Sequence, residues 1–74
     1  MEVFFLMNVV FVETLSGTEL LQMVSHDMAG LLAAAQGESV TFPLGHFKYE
    51  FHNLDFYEEN GEIRQELVIY VSKI

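Results

Sequence analysis

Cysteine and tryptophan are absent from the 74-residue chain, and proline occurs once, at Pro43. Without cysteine there can be no disulfide and no thiolate chemistry, which excludes a small secreted scaffold held together by bridges. Stability therefore has to come from packing. The chain opens with Met1-Glu2 and bulky apolar residues instead of the basic start of a signal peptide, so we expect a cytoplasmic protein.

Basic residues are equally scarce, because Lys48, Arg64 and Lys73 stand against eleven carboxylates and the formal net charge is −8. Phosphate binding needs clustered Lys and Arg, so nucleic acid and an anionic membrane surface are not expected as direct ligands. A protein with a basic surface would be attracted by the summed field, which raises association rates more than final affinity. The alternative explanation of the acidity is solubility alone.

Long hydrophobic runs are missing too. The most apolar run, residues 3–12, is about half the roughly 20 residues that a transmembrane helix needs. The chain is nevertheless 51% apolar and 14% aromatic, which is high for its length. One helix over one sheet cannot hide every aromatic side chain, so the composition predicts an exposed patch and either a partner or self-association.

The hydrophobic pattern predicts a single two-layer α+β domain over residues 1–74, with the element order β-α-β-β-β. The first strand, residues 2–12, is apolar on both faces, which is typical of a strand covered on both sides. The helix supplies one cover, and a second subunit of a homo-oligomer is expected to supply the other. The predicted oligomer interface consists of Phe4, Leu6, Val10 and Val12. Met7 is an alternative start, which leaves open whether residues 1–6 belong to the product.

One amphipathic helix is predicted from Ser16 to about Gly37. Ser16 and Glu19 have the spacing of a capping box, and Leu15 and Leu20 have that of a hydrophobic staple. Apolar residues then recur at helical spacing and form one stripe that would pack on the sheet. The stripe consists of Leu20, Leu21, Val24, Met28, Leu31, Leu32 and Ala35. Gly30, inside this helix, indicates either the close approach of a strand or a bend.

The remaining residues predict three antiparallel strands. We place them at residues 39–42, 46–57 and 63–74. Pro43-Leu44-Gly45 is typical of a turn, and Asn60-Gly61 predicts a tight two-residue hairpin. A change of phase in the second of these strands predicts a bulge near His52-Asn53 that puts its apolar residues on one face. The result is a mostly antiparallel four-stranded sheet in which the first strand runs parallel to its neighbour, because it returns through the helix.

No arrangement of residues predicts catalysis or metal binding. The consecutive residues Ser25-His26-Asp27 would point about 100° apart on a helix, which prevents a hydrogen-bonded relay. His46 and His52 would lie about 20 Å apart along a strand, too far for one metal ion. His52 and Asp55 could meet at a kink, but they offer only two ligands. We therefore predict a protein that is not an enzyme, with no catalytic residue, no metal and no cofactor.

Acidic residues concentrate in residues 50–66. The hairpin turn would place Glu59 opposite Glu62, and like charges across a strand pair are destabilising. Aromatic residues between the carboxylates are typical of an interface in which an aromatic anchor lies within a charged rim. The predicted partner-binding residues are Glu50, Asp55, Tyr57, Glu58, Glu59, Glu62 and Glu66. The alternative is a solvated hairpin tip whose charges prevent edge-to-edge aggregation.

In size, acidity and compactness the chain is similar to small phage-encoded inhibitors that occupy the nucleic-acid-binding groove of a host enzyme. Anti-CRISPR proteins and inhibitors of uracil-DNA glycosylase are examples, and the resemblance is one of composition, not of a motif. It implies a viral inhibitor in which carboxylates of residues 50–66 stand where phosphates normally sit. The alternative prediction is a homo-oligomeric structural or assembly protein with no inhibitory role.

Overall fold

A computed structural model describes residues 7–74 of the chain. Its elements are β1 (Met7–Glu13), β2 (Glu19–Ser25), α1 (Met28–Ala35), β3 (Val40–Phe42), β4 (Gly45–Glu59) and β5 (Glu62–Lys73). The strands form one mixed sheet in the order β2-β1-β5-β4-β3. β1 and β5 pair in parallel at the centre, as expected for the first strand, and the other neighbouring pairs are antiparallel. The predicted four-stranded β-α-β-β-β fold is therefore wrong, because the sheet has a fifth strand and the helix is short.

The segment predicted as the first half of the helix is strand β2. The Ser16 hydroxyl accepts a hydrogen bond from the Thr18 N–H at 3.2 Å and donates one to the Glu13 carboxylate at 2.6 Å. It therefore closes a turn and does not cap a helix. Gly17 completes the turn with a φ of 71°, a left-handed conformation that glycine adopts at little cost. The predicted capping box of Ser16 and Glu19 is wrong, because pairing with the free edge of β1 overrides the helical spacing.

Helix α1 is preceded by Asp27, whose carboxylate accepts a hydrogen bond from the Gly30 N–H at 3.1 Å and so acts as the N-cap. A Cβ at Gly30 would collide with this carboxylate, so the glycine serves the cap and neither a strand contact nor a bend. The second half of the predicted helix is confirmed. Its side chains that pack against the core are Met28, Leu31, Leu32 and Ala35.

The core lies between α1 and one face of the sheet, which we call the helix face. Its buried side chains come from alternate strand residues. They are Met7, Val9 and Phe11 of β1, Leu67, Ile69 and Val71 of β5, Phe42 of β3 and Phe47 of β4. The rings of Phe11, Phe42 and Phe47 meet edge to face, with centroids 5.3 and 5.5 Å apart. No polar side chain is buried within residues 7–74, so apolar packing holds the core together.

The opposite face of the sheet, which we call the open face, carries a second apolar group. Val10 of β1 lies beside Val68 of β5, and neighbouring side chains leave them only 4% and 9% exposed. Phe51 of β4 stacks on Tyr70 of β5 with ring centroids 4.5 Å apart. Val10, on the second apolar face of β1, is therefore already buried within a single copy of the chain.

The predicted oligomer interface divides between described and undescribed residues. Val10 and Val12 lie on the open face, where Val10 is buried and Val12 is half-buried. Phe4 and Leu6 lie outside the described residues. The interface through the second face of β1 stays a prediction.

The three-stranded meander is confirmed, with one correction. Asn60 and Gly61 have φ angles of 53° and 79°, as the predicted two-residue turn requires. The bulge lies at Glu50, between Tyr49 and Phe51, and not at His52-Asn53. Phe51 therefore points to the open face, and the prediction that all the apolar residues of this strand share one face is wrong.

Candidate protein-binding site

The β4–β5 hairpin extends beyond its neighbours in the sheet. β3 pairs with β4 only at residues 45–47, and the pairing of β1 with β5 begins at Glu66. Beyond the Asp55–Glu66 pair the hairpin is two-stranded within the described chain, and we call residues 54–66 the hairpin arm. The arm is consistent with the elongated shape of the described residues, which measure 42 × 25 × 20 Å.

The open face of the hairpin arm is acidic. Its three cross-strand pairs are Asp55 with Glu66, Tyr57 with Arg64, and Glu59 with Glu62. Two of the three pairs are like-charged, and directly opposite residues have Cβ atoms only about 4.5–5.5 Å apart. One basic group lies between them, the Arg64 guanidinium, which contacts the Glu62 carboxylate at 3.1 Å. We call Asp55, Glu59, Glu62 and Glu66 the acidic ridge.

The helix face of the hairpin arm is largely apolar. Leu54 pairs with Leu67, Phe56 with Gln65, and Glu58 with Ile63. Leu54, Phe56 and Ile63 are 43%, 60% and 69% exposed, and we call these three residues the apolar patch. An arm with carboxylates on one face and exposed apolar groups on the other can contact a partner from both sides.

The structure brings most of the predicted partner-binding residues together. Asp55, Tyr57, Glu59, Glu62 and Glu66 share the open face of the hairpin arm. The other two lie elsewhere: Glu58 points to the opposite face, and Glu50 occupies the bulge, where its carboxylate accepts a hydrogen bond from the Ser72 hydroxyl.

The apolar patch was not predicted, and the predicted partner-binding residues include Tyr57 but not Phe56, although Phe56 is the more exposed of the two aromatic residues. The missing signal was where the pairing of β1 and β3 ends, because this leaves Leu54, Phe56 and Ile63 beyond the core.

The residues considered for catalysis do not converge. The prediction that Ser25-His26-Asp27 lies on a helix is wrong, since the segment joins β2 to α1. Within it the Ser25 hydroxyl accepts a hydrogen bond from the Asp27 N–H at 3.1 Å, and the Asp27 carboxylate caps the helix. These contacts account for both groups as parts of a turn.

The remaining histidines lie in separate surroundings. His46 Nδ1 lies 3.0 Å from the Thr41 hydroxyl, and His52 Nδ1 lies 2.6 Å from the Tyr49 hydroxyl. His52 points to the helix face and Asp55 to the open face, so the two do not meet. Among residues 7–74 no group of three or more His, Asp or Glu side chains is placed to hold a metal ion.

A shallow cleft of 260 Å³ lies between the C-terminal turn of α1 and β3. Its lining consists of Phe11, Leu31, Ala34, Ala35, Ser39, Val40 and Thr41. None of these side chains titrates near neutral pH, so the cleft offers apolar contacts and two hydroxyls but no acid or base.

No family model, curated protein or solved structure matches this chain. What the site binds has to be inferred from its own geometry and charge. No helix within residues 7–74 is long and apolar enough to cross a membrane.

Proposed function

We propose that this domain binds another protein through the acidic ridge, and that the partner has a basic surface. The observation that carries the proposal is the placement of like charges directly opposite each other, Asp55 with Glu66 and Glu59 with Glu62. Each such pair destabilises a hairpin. A basic partner would neutralise both pairs, so binding would offset the repulsion that the free domain retains.

The acidic ridge offers carboxylates to a groove that normally takes nucleic-acid phosphates. Asp55 and Glu59 are four residues apart on one strand, which is about 13 Å at about 3.3 Å per residue. Across the strands each pair is separated by only about 5 Å. Lys and Arg side chains that bind phosphates also bind carboxylates with charge-assisted hydrogen bonds. The proposed role is that of a phage-type inhibitor, such as an anti-CRISPR protein, which acts in the cytoplasm. In this role the domain neither binds nucleic acid nor catalyses a reaction.

The apolar patch supports the same mode of binding. Phe56 is 60% exposed on the side of the arm opposite the carboxylates. Exposed aromatic residues that fill a pocket are frequent energetic centres of protein interfaces. A groove with one basic wall and one apolar pocket would accommodate the two faces of the arm together.

The test compares three proteins as bait in a lysate of the cells that naturally contain this protein. They are the unmodified chain, a ridge variant D55N/E59Q/E66Q, and a control variant E13Q/E19Q/E38Q that removes the same charge elsewhere. We expect a protein that the unmodified chain and the control retain and that the ridge variant loses. Equal retention by the ridge variant would refute the ridge as the contact.

A competition experiment then tests the groove. Double-stranded DNA or structured RNA added to the captured complex should release the partner, because the polyanion and the acidic ridge would occupy the same basic residues. Release by nucleic acid but not by an uncharged polymer is the expected result. If the complex persists at saturating nucleic acid, the domain still binds a protein, but it does not occupy a nucleic-acid-binding groove.

A second candidate function is that of a homo-oligomeric structural or assembly protein. Exposed apolar side chains on the open face favour it, since Val24 is 54% and Phe51 is 50% exposed. Sedimentation of the purified protein tests this candidate directly, because a structural role requires a stable oligomer without any other partner.

A further inference from the structure

We propose that two copies of this chain pair along the free edge of β4 and form a twofold-symmetric dimer. β3 covers that edge only at residues 45–47, so residues 48–59 have no strand beside them within the described chain. Such an edge presents a row of unpaired N–H and C=O groups that another strand can join. This dimer shares Asp55 and Glu59 with the acidic ridge, but it forms through the β4 edge and needs no other partner.

The backbone groups of the edge are self-complementary. In a two-residue hairpin the residues that flank the turn, Glu59 and Glu62, exchange hydrogen bonds, and alternate residues of β4 then point their backbone groups away from β5. In the stretch after the bulge these are His52, Leu54, Phe56 and Glu58. A second copy related by a twofold axis offers the same row in the antiparallel direction, so each copy satisfies the other.

Side-chain chemistry selects one register, with Leu54 on the twofold axis. In that register the opposite pairs are Leu54 with Leu54, His52 with Phe56, Asn53 with Asp55, and Phe51 with Tyr57 of the second copy. Aromatic pairs directly across two strands stabilise a sheet, and no like charges face each other in this stretch. Phe51, Leu54 and Phe56, which are 50%, 43% and 60% exposed in one copy, gain neighbours.

The bulge extends this complementarity to the ends of the contact. Because the register skips Glu50, the next opposite pairs are Tyr49 with Glu58 and Lys48 with Glu59 of the second copy. Lys48 and Glu59 both point to the open face, so one ion pair forms at each end of the dimer. Within residues 7–74 the ion pair of Arg64 and Glu62 is the only one, which leaves Lys48 available.

The neighbouring register is disfavoured by charge. With Asp55 on the axis, two Asp55 carboxylates would lie directly opposite each other, and Phe51 would lie opposite Glu59. Like charges directly opposite destabilise a strand pair. With Asn53 on the axis, Phe51 would lie opposite Asp55 and Lys48 opposite Tyr57, so the ion pairs would be lost. The proposed dimer therefore uses the Leu54-centred register.

A charge-swap experiment tests the dimer, with sedimentation equilibrium of the purified protein as the readout. We expect K48E and E59K each to raise the dimer dissociation constant by about tenfold or more, because each change turns both symmetry-related ion pairs into repulsive ones. The double variant K48E/E59K restores the pairing and should dimerise about as well as the unmodified chain. A monomeric unmodified chain, or single variants that dimerise as well as it does, would overturn the proposal.

Cysteine crosslinking tests the register. The natural chain has no cysteine, so Leu54→Cys introduces the only thiol. Opposite residues of a hydrogen-bonded antiparallel pair have Cα atoms about 5.5 Å apart, within the span of a disulfide. Leu54→Cys should form covalent dimers at concentrations where Leu44→Cys, at a position 66% exposed in the β3–β4 turn, remains monomeric. Equal crosslinking of the two variants, or faster crosslinking of Asp55→Cys, would contradict the Leu54-centred dimer.

Discussion

Neutralising Asp55 should stabilise the domain, because this carboxylate lies directly opposite Glu66 on the acidic ridge. Counting from the hairpin turn makes the two residues a hydrogen-bonded pair, with Cα atoms about 5.5 Å apart. Two unit charges at about 5.5 Å repel each other by about 0.75 kcal/mol in water. Screening at physiological ionic strength, with a Debye length of about 8 Å, reduces this to about 0.4 kcal/mol.

The assay is denaturant and thermal unfolding of the unmodified chain, D55N, E66Q and the double variant D55N/E66Q. Each single variant should gain about 0.4 kcal/mol, which corresponds to about 2 °C in Tm for a domain of this size. The double variant should gain little more than either single variant, because the repulsion is removed only once. The gains should grow at about 10 mM salt and vanish at about 1 M salt.

Glu38→Gln is the control for this cycle, since Glu38 is exposed and lies outside the strands. It measures how much stability is gained simply by removing one negative charge from a chain with a net charge of −8. If D55N and E66Q gain no more stability than this control, or lose stability, then Asp55 and Glu66 do not repel each other across the arm and the predicted repulsion is refuted.

Three further predictions concern the fold. Ile69→Ala should lower the free energy of unfolding by about 3 kcal/mol, because Ile69 is fully buried. Ile63→Ala on the same strand, at a position 69% exposed, should change it by less than about 0.5 kcal/mol in thermal melts. Asp27→Ala should lower the free energy of unfolding by about 1 kcal/mol through loss of the N-cap, while Asp27→Asn should retain most of it. Equal losses would show that the side-chain oxygen does not cap α1. Gly61→Ala should cost about 1 kcal/mol, since its φ is 79° and no atom lies near the added Cβ, so the penalty is conformational alone.

The β4–β5 hairpin was predictable from sequence because its determinant is local. Asn60 and Gly61 tolerate the positive φ angles of a two-residue turn, and few other residue pairs do. Strand β2 was not predictable in this way. Its apolar residues Leu20, Leu21, Met23 and Val24 fit the spacing of a helix as well as that of a strand. The deciding factor is the free edge of β1, which is a tertiary property.

The sequence predicts which acidic residues form the candidate site better than it predicts how they are arranged on the two faces of the arm. Counting outward from the turn places Glu59 opposite Glu62, and the same count pairs Asp55 with Glu66. Alternation along a strand separates Glu58 from Glu59, so the acidic segment cannot act as one surface. The exposure of the apolar patch and the free edge of β4 depend on where the pairing of β1 and β3 ends, which the local sequence does not determine.

The acidic ridge as the partner contact is tested most directly by the affinity of the captured protein for three purified chains. These are the unmodified domain, the ridge variant D55N/E59Q/E66Q and the charge-matched control E13Q/E19Q/E38Q. Contact through the ridge predicts at least about a tenfold loss of affinity for the ridge variant and a change of less than about twofold for the control. Equal affinities for the ridge variant and the control would contradict it, because the acidity would then act only as net charge.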